Sequence, residues 1–473
     1  MAKAFLVKLD QHKGVLAAKK RLLSKVSMQV LTLWMVLASC GQGVVSSAQM
    51  SDDITKSLST GLDATSTSQS IDVSGSMKAA IQAAVQSNEA YLAALSLEAE
   101  ALAQIGVANS TRRPQLQANT VAGGIRESGA GQDNETFGVS GGLSLSQLIY
   151  DGGESAATIN RATAEAIAAR AERDMRGNEL ALEATRAWID VWQYSARLAL
   201  LTERTSQMNT VVSQIERMAS NGMVDRASLD SARRQIVDIS LEETGLRAEL
   251  NQAKVRFIRF FNHAPSALKR PPELVSAVAA LSHAKAWKSS PSLQRSAAEL
   301  IIAQNAVIGA RSAFKPKARL QAGINAPMED GDSTDTTVGF AIEYTFGDGG
   351  RRQSLLEAAQ ARVKTVEAQM ADAQRVLRSE LDVAKSQLEA IDRSIPLVAR
   401  QITLSASEAE TARSQLATAQ SNLREVIGAE MENYRATDRK IAMQAEKMVI
   451  QVTMASRTGA LGELLNLNDA PSR

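Results

Sequence analysis

Few side chains in this sequence are of types and spacings that do covalent chemistry. The three histidines, His12, His263 and His283, are scattered, and none stands at a metal-ligand or nucleophile–base spacing. Asp225 and Asp230 suggest paired carboxylates on one helix, but they read more simply as helix-start and surface charges. Trp188 and Trp192, four residues apart, share a helix face and read as packing rather than as a ligand platform. No phosphate-binding loop is present. The reading is of a non-enzyme, with no cofactor and no metal site.

Cys40 is the only cysteine, which excludes internal disulfides and cysteine-cluster metal sites. It follows a basic stretch ending at Lys25 and the apolar run "VSMQVLTLWMVLA", residues 26–38, which is too short to span a membrane comfortably. The sequence "LASCG" around it resembles a bacterial lipobox, in which the cysteine is acylated. Residues 1–39 are therefore expected to be a signal peptide of lipoprotein type, with cleavage after Ala48 as the alternative. Either way the chain is exported. Removing residues 1–39 leaves 46 bases against 50 acids, a balance of −4. A slightly acidic chain has no electrostatic reason to bind nucleic acid.

The positions that must be held by structure are two copies of Asp-Gly-Gly: Asp151, Gly152, Gly153 in "LIYDGG" and Asp348, Gly349, Gly350 in "TFGDGG". Each follows a short alternating strand and precedes a long helical pattern. Asp caps a new helix, and glycines take backbone angles that other residues resist. Hydrophobic content is 44% but aromatic content only 4%, which suits long alanine-rich packed helices better than a bulky globular core.

The body reads as a tandem duplication. Each half has a helix ending in a basic-Pro step (Arg113-Pro114, Lys315-Pro316), two strands, Asp-Gly-Gly, and a helix that breaks and returns. From Asp151 to Gly222, and from Asp348 to Ala419, is 71 residues in each case. The first repeat spans 78–262, with strands about 115–125 and 136–149 and a helical hairpin 154–262. The second spans 291–467, with strands about 317–326 and 336–346 and a hairpin 351–467. A Ser/Thr-rich leader (40–77), a linker (263–290) and a tail (468–473) complete the chain. Heptad seams such as Leu180, Ala184, Ala187, Val191, Tyr194, Leu198, Leu201 predict antiparallel coiled coils. In the second repeat the seam reads Val363, Val366, Met370, Ala373, Leu377, Glu380, Ala384. Pro396 predicts a kink or bulge near Ser394.

The strands alternate with period two. Phe137, Val139, Leu143 and Leu145 lie on one side of the second, Leu320 and Ile324 on one side of the third, and Val338, Phe340, Ile342 and Tyr344 on one side of the fourth. Each run is about 10 residues, the length of a tilted membrane-crossing strand, so these residues are expected to face lipid. Four strands cannot close a barrel, and open edges are not tolerated in hydrocarbon. Three copies would supply twelve strands. The competing reading is a lipid-anchored coiled-coil scaffold or adhesin whose strands form a small soluble cap.

Over about residues 78–467 the chain resembles the TolC-like outer-membrane channel proteins. The resemblance rests on "LIYDGG", "TFGDGG", "SNGMVDRASLDSA" (220–232), "ATAQSNLREVIGAE" (417–430) and "ASRTGALGELL" (455–465). It implies a mainly α fold with a small β part: a homotrimer whose twelve-stranded outer-membrane barrel continues into an α-helical periplasmic tunnel. The implied partners are a periplasmic adaptor (membrane fusion protein) and an inner-membrane transporter, ABC or proton-driven. By the same resemblance Gly222, Met223, Val224 and Ala419 form adaptor-contacting tips, and Arg424 and Glu425 lie at the pore constriction. Gly428 stands where some members carry a second acid, which argues against a double acidic ring. The tail and "SNLREVIGAEMENYRATDR" (421–439) look slightly more like type I secretion (adhesin) ducts than multidrug efflux channels.

Overall fold

The computed structural model describes residues 77–129, 132–220, 226–265, 268, 290–326, 334–417 and 423–467. After α1 (Met77–Gln86), α2 (Glu89–Ser110) begins at Asn88, whose side chain accepts the Ala90 amide, and leads into β1 (Gln115–Gly129) and β2 (Gln132–Tyr150). Then come α3 (Glu154–Ser220) and α4 (Arg226–Phe261). The second half repeats the plan: α5 (Pro291–Ser312), β3 (Lys317–Ala326), β4 (Asp335–Glu343), α6 (Arg351–Ala417), α7 (Leu423–Thr458) and the short α8 (Ala460–Leu464).

The duplication is quantitative. The long helices α3 and α6 have 67 residues each, and the returning helices α4 and α7 have 36 each. At 1.5 Å per residue these are about 100 Å and about 54 Å. The return leg therefore covers only about half of each long helix. The other half of α3 packs against the 22-residue helices α2 and α5, and α5 also packs on α6. The hairpin is thus a feature of the distal half only.

The seams are alanine, leucine and β-branched residues at heptad spacing. Leu180, Ala184, Ala187, Val191 and Leu201 on α3, and Ala232, Ile239, Leu246, Leu250 and Ala253 on α4, are buried. On α6 the seam departs from expectation. Glu380 is exposed and Leu381 takes its place, so the spacing runs Leu377, Leu381, Ala384. The two successive four-residue steps, Ala373 to Leu377 to Leu381, are a stutter that locally unwinds the supercoil and keeps a carboxylate in water. Helix α6 runs unbroken through Pro396, with no bulge at Ser394. Pro396 lies on the exposed face, where the carbonyl it frees can be solvated.

Where α1, α3, α4 and the chain's last helix meet, the core is aromatic. Trp188 lies 5.6 Å from Phe257 and 5.7 Å from Phe261, and the two phenylalanines stack at 4.3 Å. The C-terminal segment is tied to α3 by Asn178, whose Oδ1 accepts the Gly462 amide at 2.8 Å, while the Tyr91 hydroxyl donates to the Leu467 carbonyl. His263 and Asp230 are exposed, and Asp225 lies outside the described residues.

Both strand-to-helix turns are built alike. Asp151 Oδ1 accepts the Gly153 amide at 3.0 Å and Oδ2 the Ser155 amide at 2.6 Å; Asp348 accepts the Gly350 and Arg352 amides in the same way. All four glycines have positive φ, 70° and 102° in the first turn and 66° and 90° in the second. A Cβ on Gly152 would also stand 2.7 Å from the Lys315 Cβ. Burial raises the Asp151 carboxyl, but the Ser155 hydroxyl and the Ser155 and Gly153 amides outweigh it and hold the carboxyl below its ordinary value. Asp151→Ala is expected to remove the cap at a cost of about 1–2 kcal/mol, read as a lowered thermal midpoint of the detergent-solubilised protein. Because the folded-state value is depressed, this stabilisation is full above the unfolded carboxyl's pKa and fades as pH falls through the folded value. The wild-type and variant midpoints should converge in acid, and a gap that persists there would contradict the cap.

Candidate functional site

The four strands form one antiparallel sheet in the order β1-β2-β3-β4. Its register decides what each face presents. Leu116 pairs with Leu145, Leu145 with Ala322, and Ala322 with Val338. The neighbouring rung is Ala118, Leu143, Ile324 and Thr336; Leu320 pairs with Phe340 and Ala318 with Ile342. Paired residues of an antiparallel ladder share a face, so the apolar sets of all four strands merge into one surface. Val338, Phe340 and Ile342 are each nearly three-quarters exposed, Leu143, Val139 and Ile324 about half, Leu145 slightly less, and Leu320 is half-buried. Phe137 stands at the register position opposite Gly124.

The other face is polar: Gln115, Ser146, Gln321 and Gly339 form one rung, and Gln117, Ser144, Gly323 and Thr337 the next. On the rung Asn119, Gly142, Asn325, Asp335, both asparagine Oδ1 atoms close over Gly142, at 2.7 and 2.9 Å from where a Cβ would stand. Any side chain there would displace them.

Three features differ from the strands read in the sequence. Ladder pairing of β1 with β2 continues to Gly129 and Gln132, so the polar stretch expected to be a connection is itself strand. Arg126 stands at the register position opposite Glu135. β4 stops at Glu343, whose rung partner Lys317 follows Pro316, a residue with no amide to donate. Tyr344 and Phe346 therefore leave the ladder and form an edge-to-face pair at 4.8 Å, with Phe346 92% exposed. A bulge between Leu148 and Tyr150 brings Tyr150 opposite Ala318, on the apolar side.

At the other end, Gly222, Met223, Val224 and Ala419 lie outside the described residues, as does Cys40. Arg424 and Glu425 occupy the first turn of α7 with exposed side chains. Between the two repeats the structure shows ties that seam periodicity did not reveal. Glu430, Tyr434 and Asp438, each four residues apart on α7, all reach the first hairpin. Glu430 pairs with Arg204 at 2.7 Å, the Tyr434 hydroxyl donates to Glu242 at 2.7 Å, and Asp438 takes Arg197 through two bonds of 2.6 and 2.9 Å. Arg413 of α6 also pairs with Glu430. Burial pushes the Arg204 guanidinium down, with Glu430 opposing it, and burial together with the Glu242 bond raises the Tyr434 hydroxyl. The sequence signal was this i, i+4, i+8 polar stripe. Among the described residues no group of three or more His, Cys, Asp or Glu could hold a metal.

A sequence model described as "Outer membrane efflux protein" matches residues 80–262 and 266–460. No curated protein sequence matches the chain. Among solved structures, a membrane protein from Pseudomonas aeruginosa superposes with a TM-score of 0.73 at 16% identity, covering 82% of this chain and 91% of that one. The outer membrane protein VceC of Vibrio cholerae gives 0.71 at 17% identity, with 80% and 95% covered. CusC, described in connection with transmembrane channel formation, gives 0.70 at 18%, with 82% and 93% covered. The matched segments take in both repeats, the sheet with its apolar outer face, and both hairpins. The chain therefore belongs to the outer membrane efflux protein family, a family of outer-membrane channels rather than enzymes.

Proposed function

We propose that this chain is one protomer of a homotrimeric exit duct that passes cargo from an inner-membrane transporter, through a periplasmic adaptor, to the outside. The observation that carries the reading is a four-stranded sheet with one continuous apolar face and two unpaired edges, β1 and β4. Within one chain those edges have no partner strand among the described residues. Closing them between three copies gives a twelve-stranded barrel with the apolar face to lipid and the polar face to the lumen. Further support comes from apolar stripes left exposed on single helices. On α6, Val376, Val383, Leu397 and Leu404 recur at multiples of seven, and on α4 Val237, Leu241, Val255 and Ile258 follow heptad spacing. Such stripes suit helices of neighbouring copies. Leu143→Arg or Ile342→Arg puts a charge on the lipid face at about 2–4 kcal/mol near the midplane. Either variant is expected to fail to insert in outer-membrane fractions, and normal insertion would contradict the barrel.

The reading places adaptor contacts at the hairpin tips, Gly222, Met223, Val224 and Ala419, and the constriction at Arg424 and Glu425. Opening would be a population shift of the hairpins, with the α7 ties to Arg204, Glu242 and Arg197 moving the two hairpins of a protomer together. Reversing both charges, Arg424→Glu with Glu425→Arg, is expected to change single-channel conductance in planar bilayers. Unchanged conductance would place the constriction elsewhere.

For cargo, we favour a protein delivered by an ABC transporter in type I secretion, on the family-like segments 421–439 and 455–465. A lumen face of carboxamides, hydroxyls and the charged Lys317, Arg319, Asp335 and Glu343, with no aromatic ring among its described residues, suits a hydrated polypeptide. The second reading, small-molecule efflux with a proton-driven pump, is favoured by the description of the matching family. Deleting the gene should empty the culture medium of a secreted adhesin-like protein while leaving drug susceptibility unchanged; the reverse pattern would select efflux. Acylation of Cys40 belongs to the same reading, and labelled palmitate should be absent from the Cys40→Ala protein.

A further inference from the structure

Between the sheet and the helices lies a layer of four turns, and its charge is not balanced internally. Contacts on every side define it as one layer. Lys315 Nζ donates to the Gly152 carbonyl at 3.1 Å, Arg352 Nη1 to the Ala313 carbonyl at 3.1 Å, and Arg112 Nε to Ser155 Oγ at 3.0 Å. Four acids lie at this level, three of them engaged with the turns, while Glu343 stands opposite Lys317 at the end of β4. Asp151 caps α3, Glu154 pairs with Lys317 at 2.5 Å, and Asp348 pairs with Arg352 at 2.9 Å while capping α6. Arg113, Arg311, Lys315 and Arg351 are exposed and have no acidic partner among the described residues. Arg351 stands in the first turn of α6, where the helix dipole disfavours a cation, so the fold's own electrostatics do not account for it.

Directly above this layer the apolar face ends in aromatic rings. Tyr150, Tyr344 and Phe314 are exposed, Phe346 almost fully, and the Arg352 guanidinium sits 5.2 Å over the Phe314 ring. Aromatic girdles mark the hydrocarbon boundary of membrane barrels. The sequences that link the strands of each pair have the opposite charge. The sequence 327–335 carries Glu329, Asp330, Asp332 and Asp335 with no base, and 126–135 carries three acids against Arg126.

We propose that this basic layer is a docking surface for acidic phospholipid headgroups in the periplasmic leaflet of the outer membrane. The proposal rests on the barrel reading above, which sets the apolar face in hydrocarbon and this layer at headgroup depth. Cations at that depth attract anionic lipid. In a barrel closed through its edges, Arg113, two residues before β1, lies at the same level as a neighbour's Arg351, which opens α6 after the turn that follows β4. Two unpaired guanidiniums at one seam call for an anion between them.

The test uses the full-length protein in phosphatidylcholine nanodiscs containing a minority of phosphatidylglycerol. Spin-labelled phosphatidylglycerol and phosphatidylcholine report which lipid the protein immobilises. Wild type is expected to prefer phosphatidylglycerol by about fivefold or more, and the preference should shrink at high salt. Replacing Arg113, Lys315 and Arg351 with Gln should bring it near parity, while Arg126→Gln at the far end leaves it intact. Equal immobilisation of the two lipids by wild type, or an undiminished preference in the triple variant, overturns the proposal. If the triple variant does not assemble, the single variant Arg351→Gln and the wild-type salt series decide: no loss in either overturns it. Inorganic phosphate at millimolar concentration should not displace the lipid, and displacement would mean a free-phosphate site instead. Failure of the wild-type chain to enter nanodiscs at all would sink the barrel reading along with the proposal, whereas insertion without lipid preference sinks the proposal alone.

Discussion

An unpaired backbone amide or carbonyl in hydrocarbon costs several kcal/mol, and the whole architecture follows from that cost. The sheet presents an apolar face fit for lipid, yet β1 and β4 each carry a full row of open ladder positions. A chain with only four strands cannot satisfy those rows by itself. The edges must be closed by other copies, and the long helices then descend around the same axis. The duplication, the turns and the exposed helix stripes all serve that closure.

The two repeats are alike where they must meet the same geometry and unlike where they need not. Helices α3 and α6 match residue for residue in length, as do α4 and α7, because a tunnel wall must be of one height all round. Both Asp-Gly-Gly turns use the same pair of amide bonds to a carboxylate, because each must start a long helix sharply where the sheet ends. The strand hairpins differ instead. From Pro114 to Asp151 is 37 residues, and from Pro316 to Asp348 is 32. The first ladder thus runs on past the second, beyond the rungs that β3 and β4 share.

How much was legible in the sequence depended on which solvent each residue meets. Val338, Phe340 and Ile342 alternate with polar residues because one face meets lipid and the other water, so period two exposed both the strand and its faces. Past Gly124 the β1–β2 ribbon has no hydrophobic alternation to read, although the ladder continues to Gly129 and Gln132. The heptads of α3 were legible because Leu180 to Leu201 pack on one seam throughout. The exchange of Glu380 for Leu381 on α6 was not, since a stutter keeps the sequence helical and moves only the phase. The ties from Glu430, Tyr434 and Asp438 were hidden for another reason: their partners Arg204, Glu242 and Arg197 are some two hundred residues away. A polar stripe within one helix does not reveal which distant hairpin it faces. The hairpin tips and Cys40 lie outside the described residues.

The central claim is that β1 of one copy pairs with β4 of the next. It is tested most directly by disulfide scanning in a Cys40→Ser background, with one cysteine at Gln117 on β1 and a second moved along residues 335–343 of β4. Chains assembled in outer membranes should yield, at one register, a covalent ring that runs as a trimer on denaturing gels and collapses to monomer on reduction. Monomers alone at every register, with the protein still inserted, would mean that the edges close some other way and would contradict the shared barrel.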